Sequence, residues 1–388
     1  MSVSRRSPIG RFDPLVGVLL RDPYDIVDDL GNAPPFWVED PNDIDGYWVA
    51  TSYNDVKRIF QNSDAFSSVD ASVPYRSFEE PLLPIFTDPP ETTKLRFFLL
   101  PHFTLAKIRL LETKMRSVCS ELLERISAQG RCDAVAEFAS VYPVAIFAEF
   151  FGLPPRRIAE FRSHAHTFLH DEPKRAAAWG HIREIIKELL LAKRSDPKDD
   201  LMTAIVTAEI NGVPIELSTA VNIASTVFLG GLDTLPSNIG WSLRYLAHHP
   251  EHRRTLVSDP QSIPGAVEEF LRYFTVANPR RRAVKDVDVS GSLMRANDRV
   301  ILMAASADRD PCEFDDAHTV RFERERNRHF AFGGGAHRCL GSHLARHELG
   351  VALGEWHARI PDYRMMAGAE VTYHGGVLAL SSLPLEWD

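Results

Sequence analysis

The amino-acid sequence predicts a mainly α-helical protein, built as one large helical domain with a small β-sheet region. Apolar residues recur every three or four positions over several long segments, which is the period of an amphipathic helix. Short apolar runs between turn residues, the pattern of strands, occur near the two ends of the chain. No repeat, low-complexity tract or linker divides the 388 residues, so a single domain over 1–388 is favoured over two.

The elements follow in order along the chain. The first part, about 1–100, is rich in proline and has apolar runs such as Tyr47–Ala50, which predicts a few strands and turns. The helical bulk, about 101–360, has five segments that predict helices, namely 104–127, 182–190, a continuous buried helix over 217–249, one after Pro264 and one just beyond Gly341. The last part, about 361–388, has short runs such as 377–380, which predict β hairpins.

The composition limits the function classes. A formal charge of -9 argues against a surface that binds the phosphates of nucleic acids. The chain has four cysteines without paired spacing, which are Cys119, Cys132, Cys312 and Cys339. That spacing gives no disulfide framework, and a reducing compartment fits it. The apolar run 15–20 is too short for a signal core or a membrane span, so we expect a cytoplasmic protein without a membrane anchor.

Residues 332–341, Phe-Gly-Gly-Gly-Ala-His-Arg-Cys-Leu-Gly, place three glycines and Cys339 in a loop that is expected to enter a helix. Glycines let the backbone approach a flat ligand closely, and N–H groups at the start of a helix lower the pKa of a thiolate. A thiolate ligand pushes electron density onto a haem iron and favours O–O cleavage. On these residues alone, a lone cysteine packed as a small apolar side chain is the more common case.

Two other interpretations of this segment can be weighed. A dinucleotide site is disfavoured because Arg338 stands where the last small residue of G-x-G-x-x-G belongs and no βαβ pattern surrounds the segment. A zinc site is a sharper alternative, because His343 and His347 lie four apart near His337 and Cys339. It stays open at this point, although the glycine run has no role in a zinc cage.

The ten residues from Phe332 to Gly341 match in full the signature F-x-x-G-x-[HR]-x-C-x-G, and the chain thereby resembles the cytochromes P450. The resemblance implies the cytochrome P450 fold and a haem b cofactor whose iron is ligated by the Cys339 thiolate. It also implies that Phe332 packs near the haem and that His337 reaches a haem propionate. Gly333 and Gly341 complete the cofactor-binding set of this loop.

The family also has a buried Glu-x-x-Arg pair, to which Glu269 and Arg272 correspond. Residues three apart share one helix face, so the carboxylate and the guanidinium can act together. The third member of the set is Arg324 or Arg326, and the position four after Phe322 favours Arg326. All three are expected to be structural residues that lock the haem-binding loop.

Residues 230–234, Gly-Gly-Leu-Asp-Thr, resemble the acid–alcohol pair of the family. The resemblance implies that Asp233 and Thr234 are catalytic and deliver protons to dioxygen, and that Gly230 lies against the cofactor. The alternative is a threonine that bonds its own helix backbone four residues back. Pro236 lacks an N–H and leaves the carbonyl of Leu232 without its helical donor, which favours a kink.

Two arginines fit the family's contacts to the haem propionates. Arg281 and Arg96 stand at these positions, and arginine suits carboxylates through its fixed fork of donors.

The substrate pocket is carried over from the family by position. Its expected residues are Thr226, Val227, Ala277, Asn278, Val377 and Leu378. Their mostly apolar character suits a small hydrophobic substrate, with Asn278 or Thr226 available to bond one oxygen. The resemblance is closest to the bacterial soluble type and its camphor hydroxylase group. Glu80 replaces a tyrosine of that group, so a terpenoid or norisoprenoid is expected rather than camphor.

The implied reaction is a monooxygenation that inserts one oxygen atom from O2 into a C–H bond. By family analogy, a [2Fe–2S] ferredoxin and an NAD(P)H-dependent ferredoxin reductase supply the electrons to a monomeric enzyme. Their docking face is expected to be basic, built from Arg96, Arg326, Arg338 and Arg346. The alternative is a thiolate-haem protein that acts as a sensor or an isomerase, and the pair Asp233 and Thr234 favours the monooxygenase.

Overall fold

The computed structural model describes residues 18–19, 21–39, 46–71, 82–170 and 172–388. Helices dominate this part of the chain, and most of them lie beyond residue 100. In chain order the α-helices are α1 (Pro23–Leu30), α2 (Tyr53–Gln61), α3 (Glu91–Phe97), α4 (Leu105–Arg109), α5 (Glu112–Ser127), α6 (Tyr142–Phe150), α7 (Ile158–His170), α8 (Arg175–Ser195), α9 (Leu201–Val206), α10 (Leu217–Leu232), α11 (Thr234–His248), α12 (Pro250–Ser258), α13 (Ile263–Tyr273), α14 (Ala304–Ala307) and α15 (Ser342–Arg359).

The strands are short and form small sheets. They are β1 (Val18–Leu19), β2 (Phe36–Val38), β3 (Tyr47–Ala50), β4 (Phe66–Ser67), β5 (Arg131–Asp133), β6 (Glu209–Ile210), β7 (Val213–Pro214), β8 (Arg280–Ala283), β9 (Val287–Val289), β10 (Ser292–Met294), β11 (Arg299–Leu302), β12 (Arg364–Met365), β13 (Tyr373–His374), β14 (Ala379–Leu380) and β15 (Pro384–Glu386). The largest sheet has the order β2-β3-β11-β8-β4. In it β11 runs parallel to β3 and antiparallel to β8, with Val300 opposite Arg281.

Two groups of buried apolar side chains form the core. The larger one joins the helices, with Trp241 of α11 and Trp356 of α15 among its biggest fully buried residues. The smaller one lies under the five-stranded sheet and includes Trp48 and Val300. Phe332 packs against the helical group and Phe330 against the sheet group. The segment before α15 is therefore held between the two cores.

Several predicted elements are confirmed. Tyr47–Ala50 is strand β3, Pro264 lies in the first turn of α13, and α15 begins at Ser342, directly after Gly341. The expected mainly α-helical architecture with a small sheet region is confirmed. The division into a β-rich first part, a helical bulk and C-terminal hairpins within one domain stays a prediction.

Other predicted elements differ in their limits. The helix expected over 104–127 is split into α4 and α5, because the chain turns at Leu110, whose side chain is 76% exposed. At the C-terminus β13 and β14 pair with each other. The last strand, β15, pairs with β5, which lies far away in the sequence, and Leu385 stands opposite Cys132. Such long-range pairing leaves no local pattern in the sequence. Within the ranges described, no helix has the length and apolar character needed to cross a membrane.

Candidate active site

Cys339 lies at the end of a glycine-rich loop that leads into α15. Its backbone N–H donates to the carbonyl of Phe332 at 2.8 Å and closes the loop. Gly335 has φ +64°, and a Cβ there would lie 2.1 Å from the carbonyl oxygen of Phe60 in α2. Only glycine tolerates both conditions. Gly335 is thus required by a protein neighbour, and not by a flat ligand as the sequence suggested.

The two glycines predicted for cofactor binding in this loop are Gly333 and Gly341. Gly333 has φ +64°, which favours glycine, and a Cβ there would make only ordinary contact with the Phe60 ring at 3.8 Å. A Cβ on Gly341 would lie 3.9 Å from the sulfur of Cys339. Gly341 therefore stands directly beside the thiol, at the residue that precedes α15.

A buried aspartate anchors the segment that leads into the loop. Asp308 accepts the backbone N–H of Phe330 at 2.6 Å and the hydroxyl of Thr275. Burial raises the pKa of Asp308 to about 6, although the charge of His329 and these hydrogen bonds lower it. Asp308 thereby ties the start of the loop to Thr275, which lies just beyond α13.

A second anchor holds the Phe332 ring. Glu268 of α13 forms an ion pair with Arg346 of α15, and its Oε2 lies 3.2 Å from Nε2 of His329. The Arg346 guanidinium lies 4.5 Å from the centroid of the Phe332 ring, a favourable cation–π contact. The expectation that Arg346 contributes to an open basic face is wrong, because its charge is already paired and its side chain is only 26% exposed.

Cys339 differs from the two core cysteines in its electrostatic surroundings. Cys119 and Cys132 are buried, and burial raises the pKa of the Cys132 thiol to about 12. Cys339 is accessible at its loop. The surrounding protein raises the pKa of its thiol by desolvation, while the N–H of Gly341 and the charge of Arg96 lower it. An accessible thiol with nearby donors and cations is suited to act as a thiolate ligand.

Two arginines and a histidine converge next to the loop. Arg281 of β8 is 7% exposed, donates to the carbonyl of Arg280 at 2.7 Å, and has no ion-pair partner in the described part of the chain. Burial lowers the pKa of Arg281 to about 10. Arg96 of α3 donates to the carbonyl of Arg338. A buried cation that lacks a carboxylate partner is costly, which indicates a place for an anionic group.

His337 supplies a further donor at this place. Its Nε2 is buried and has no hydrogen-bond partner among the residues that the structure describes. Burial lowers the pKa of His337 to about 4, and the charges of Arg281 and Arg96 lower it further, so the ring is neutral at pH 7. Buried polar atoms are rarely unpaired in native proteins, and a propionate oxygen would satisfy this one. These residues fit the carboxylates of a haem.

The helix predicted over 217–249 is broken in two. α10 ends at Leu232, Asp233 has φ -120° and ψ -32°, and α11 begins at Thr234. Pro236 lies in the first turn of α11 and has no N–H to donate to the carbonyl of Leu232. The prediction of a single helix was therefore wrong. The kink expected from Pro236 lies one residue after Leu232.

Asp233 and Thr234 stand at this break. The Thr234 hydroxyl donates to the carbonyl of Gly230 at 3.1 Å, which is the backbone contact named as its alternative role. Nδ2 of Asn238 donates to the Thr234 carbonyl at 3.1 Å, while Oδ1 of Asn238 is buried without a partner among the described residues. Burial raises the pKa of Asp233 to about 6. Asn238 was not predicted as a site residue, although its polar side chain four positions after Thr234 was a signal for such a contact.

The two glycines before the break have different surroundings. A Cβ on Gly231 would lie 2.6 Å from the ring of Phe147 in α6, so this glycine is required by helix packing. A Cβ on Gly230 would meet no described atom within 4 Å. The side of α10 at Gly230 is therefore open, as expected for a residue that lies against a cofactor.

The buried Glu-x-x-Arg pair has the predicted geometry, but its third member is a different residue. Glu269 and Arg272 form an ion pair at 2.7 Å with both side chains fully buried. Nε of Arg324 lies 3.1 Å from each carboxylate oxygen of Glu269, and Asn327 donates to the same carboxylate at 3.0 Å. Arg326 is exposed. The choice of Arg326, made from its position four after Phe322, was therefore wrong, because the path of the loop brings Arg324 and not Arg326 to Glu269.

The expected substrate residues are only partly free to bind a ligand. Thr226 is buried and its hydroxyl donates to the carbonyl of Asn222 at 2.9 Å. Oδ1 of Asn278 accepts the N–H of Ala305 at 3.2 Å. The backbone after β11 thus engages the Asn278 oxygen, and the expected contact of Asn278 with an oxygen of the substrate stays a prediction.

Some of the apolar residues in that set make backbone contacts with distant parts of the chain. Ala277 and Val377 form an antiparallel bridge, and Leu378 is buried with its N–H bonded to the carbonyl of Val276 at 2.9 Å. Val227 and Val377 are partly buried against the helical core. Glu80, on which the exclusion of camphor depended, lies outside the described residues.

The zinc alternative receives no support from the geometry. Within the described ranges, His337, Cys339, His343 and His347 do not form a group whose ligand atoms could share one ion. Nε2 of His347 instead lies 3.2 Å from a carboxylate oxygen of Glu112.

Comparisons with known proteins agree with this geometry. The family model described as Cytochrome P450 matches residues 161–356. The Probable cytochrome P450 127A1 of Sinorhizobium fredii is 33% identical over 362 residues, which cover 92% of this chain and 87% of that protein. The Mycinamicin IV hydroxylase/epoxidase of Micromonospora griseorubida is 30% identical over 361 residues, which cover 88% and 89%. The crystal structure of CYP101J2 has a TM-score of 0.89 at 28% identity and covers 98% of this chain and 97% of its own.

The chain therefore belongs to the cytochrome P450 family. It is a P450 monooxygenase, an oxidoreductase whose cofactor is a haem with a cysteine-ligated iron. Its structural neighbours include the CYP101 enzymes, which are of the camphor type.

Proposed function

We propose that this monooxygenase hydroxylates a small hydrophobic substrate, with Cys339 as the ligand of the haem iron. The proposal rests on one conjunction in the structure. An accessible thiol lies in the same loop as His337, whose Nε2 has no partner among the described residues. The charge of the buried cation Arg281 acts on the His337 ring. A thiolate and a set of anion-binding donors are what a haem with two propionates requires on one side.

The chain's own residues would hold the haem in place. Arg281, His337 and Arg96 would bind the propionates, and Phe332, whose ring contacts the Arg346 guanidinium, would pack near the haem. When bound, the haem supplies the redox chemistry that activates dioxygen. Gly230, where a Cβ would meet no described atom within 4 Å, would leave room for the haem.

Proton supply would come from the break between α10 and α11. The Thr234 hydroxyl donates its hydrogen bond to the carbonyl of Gly230, so only its oxygen can take part in another hydrogen bond, as an acceptor. Asp233, whose pKa burial raises to about 6, exchanges its proton near neutral pH. A general acid works best when its pKa lies near the working pH, which suits Asp233 as the residue that passes protons inward.

A terpenoid or norisoprenoid is our proposed substrate class. Val227, Ala277, Val377 and Leu378 would supply apolar contacts, and such pockets bind mostly through apolar surface. Because the oxygen of Asn278 and the proton of Thr226 are already used, any polar contact to the substrate would come from the Asn278 Nδ2 donor or the Thr226 oxygen acceptor.

Electrons would come from a [2Fe–2S] ferredoxin and its NAD(P)H-dependent reductase. Arg338 is exposed next to Cys339 and supports a basic docking point for an acidic ferredoxin. We further propose that the enzyme is a cytoplasmic monomer, in keeping with its four free cysteines.

Reconstitution with a ferredoxin, its reductase and NADH tests the proposed function. A screen of terpenoids for substrate-induced changes in the haem spin state would select candidates. We expect a product that carries one oxygen atom from isotopically labelled O2, with NADH consumed in step. A haem-loaded protein that converts a bound terpenoid without NADH would instead be an isomerase. One that binds ligands and forms no product would be a sensor.

A further inference from the structure

Three side chains gather where α11 passes into α12. One ring nitrogen of His249, one of His252 and one carboxylate oxygen of Glu251 lie within 4.8 Å of one another. We propose that they form a binding site for a transition-metal dication such as Zn²⁺. This site is separate from the haem loop and does not depend on the proposed substrate.

One of the three ligand–ligand distances already suits a tetrahedral ion. Nδ1 of His249 lies 3.1 Å from Oε1 of Glu251. Two ligand atoms that are each bonded to zinc at the usual length and tetrahedral angle stand about 3.4 Å apart. The pair therefore needs a movement of only a few tenths of an ångström to exchange its hydrogen bond for two metal bonds.

The third ligand is already oriented by a neighbour. The Tyr245 hydroxyl lies 2.9 Å from Nδ1 of His252. Metal-bound histidines in proteins almost always have their second nitrogen held in this way, which fixes the tautomer and the ring. The Tyr245 ring also stacks on His249, with centroids 4.0 Å apart, and on His252, with centroids 5.6 Å apart. Tyr245 thus positions both imidazoles.

The donor set selects the class of ion. Two imidazole nitrogens and one carboxylate are typical ligands of Zn²⁺, Cu²⁺ and Ni²⁺, whereas Mg²⁺ and Ca²⁺ prefer oxygen ligands only. His249 and Glu251 have exposed side chains, so an ion can enter from solvent and keep a water as its fourth ligand.

Binding would stabilise the fold rather than take part in the oxidation. His249 follows the last residue of α11, and Glu251 and His252 lie in the first turn of α12, so one ion would tie the two helices together. His252 also packs on Phe322, with centroids 5.0 Å apart, and Phe322 packs on Phe270 of α13. A ligand that binds only the folded state raises its melting temperature.

Equilibrium dialysis of the chelator-treated holoenzyme against Zn²⁺ tests this inference. We expect the wild-type protein to bind zinc at micromolar concentrations, while Mg²⁺ does not compete. His252→Gln, which keeps a hydrogen-bonding side chain beside Tyr245, and Glu251→Gln should each weaken binding by tenfold or more. Both should also remove the zinc-dependent rise in melting temperature, and the haem spectrum shows that each variant is folded.

Matched variants separate this site from other histidines. His248→Ala removes an exposed neighbour whose Nδ1 lies 2.8 Å from the carbonyl of Arg244, and it should bind zinc as the wild type does. Tyr245→Phe keeps all three ligands and should weaken binding about tenfold. Absence of zinc binding by the wild type would overturn the proposal. Equal affinity of the wild type, His252→Gln and Glu251→Gln would overturn it as well, since the zinc would then lie elsewhere.

Discussion

Nε of Arg324 lies 3.1 Å from both carboxylate oxygens of Glu269, so the fully buried carboxylate is held between two arginines. Arg324 also donates to the carbonyls of Asp315 at 2.5 Å and Thr319 at 3.1 Å. The network therefore ties α13 to the chain that leads into the haem-binding loop.

Arg324→Ala should destabilise the protein strongly. Removal of one partner from a buried ion network costs about 3–5 kcal/mol, because the remaining charge stays buried with less compensation. Arg326→Ala is the matched control, since Arg326 is exposed and such changes usually stay within about 0.5 kcal/mol. Chemical unfolding of both variants measures the difference. Equal losses of stability in the two variants would mean that the contact of Arg324 with Glu269 does not stabilise the folded protein.

Arg281→Ala should weaken haem retention. If Arg281 donates to a propionate, the loss of a charge-assisted hydrogen bond of about 1.5–3 kcal/mol predicts a rate of haem loss that is roughly tenfold or more higher. The stability of the haem-free protein should hardly fall, because there Arg281 is a buried cation without an ion-pair partner in the described residues. Haem transfer to an acceptor protein measures the rate, and Arg282→Ala is the control. Unchanged retention in Arg281→Ala would contradict the propionate role.

Thr234→Ala should lower the product formed per NADH several-fold, while Thr234→Ser, which keeps the hydroxyl, should stay close to the wild type. The measurement compares product with NADH consumed. If the hydroxyl only bonds the carbonyl of Gly230, the alanine variant would lose about 1 kcal/mol of stability and keep its product yield. That outcome would remove Thr234 from proton delivery.

Asp233 should make stability depend on pH in a defined window. Burial raises the pKa of Asp233 to about 6, whereas an unfolded aspartate has a pKa of about 3.9. Between these values the folded state binds a proton that the unfolded state does not, so this group's contribution to stability falls as pH rises toward 6 and is constant above it. The wild type should therefore gain melting temperature relative to Asp233→Asn as the pH falls from about 7 to about 5. A difference that does not change with pH would contradict the raised pKa.

The sequence predicted most of the fold because helices and signature residues leave local patterns. Pro264 and the segment after Gly341 marked the starts of α13 and α15, and Glu269 with Arg272 marked a shared helix face. Pro236 indicated a kink in the long helix, but not the exact break at Asp233.

The rest depended on contacts between distant parts of the chain. Arg324 and Arg326 are equivalent in the sequence, and only the path of the loop decides which one reaches Glu269. The oxygen of Asn278 is used by Ala305, and no local pattern shows this. The three proposed metal ligands lie within four positions of the sequence, but only the turn between α11 and α12 brings their donor atoms together.

The central claim is that the Cys339 thiolate is the haem ligand, and the spectrum of the reduced carbon monoxide adduct tests it most directly. The wild type and Cys312→Ala should both show the red-shifted Soret band that is characteristic of thiolate-ligated haem. Cys339→His, if it retains haem, should lose that band. Its persistence in Cys339→His, or its absence from folded, haem-loaded wild-type protein, would contradict the assignment.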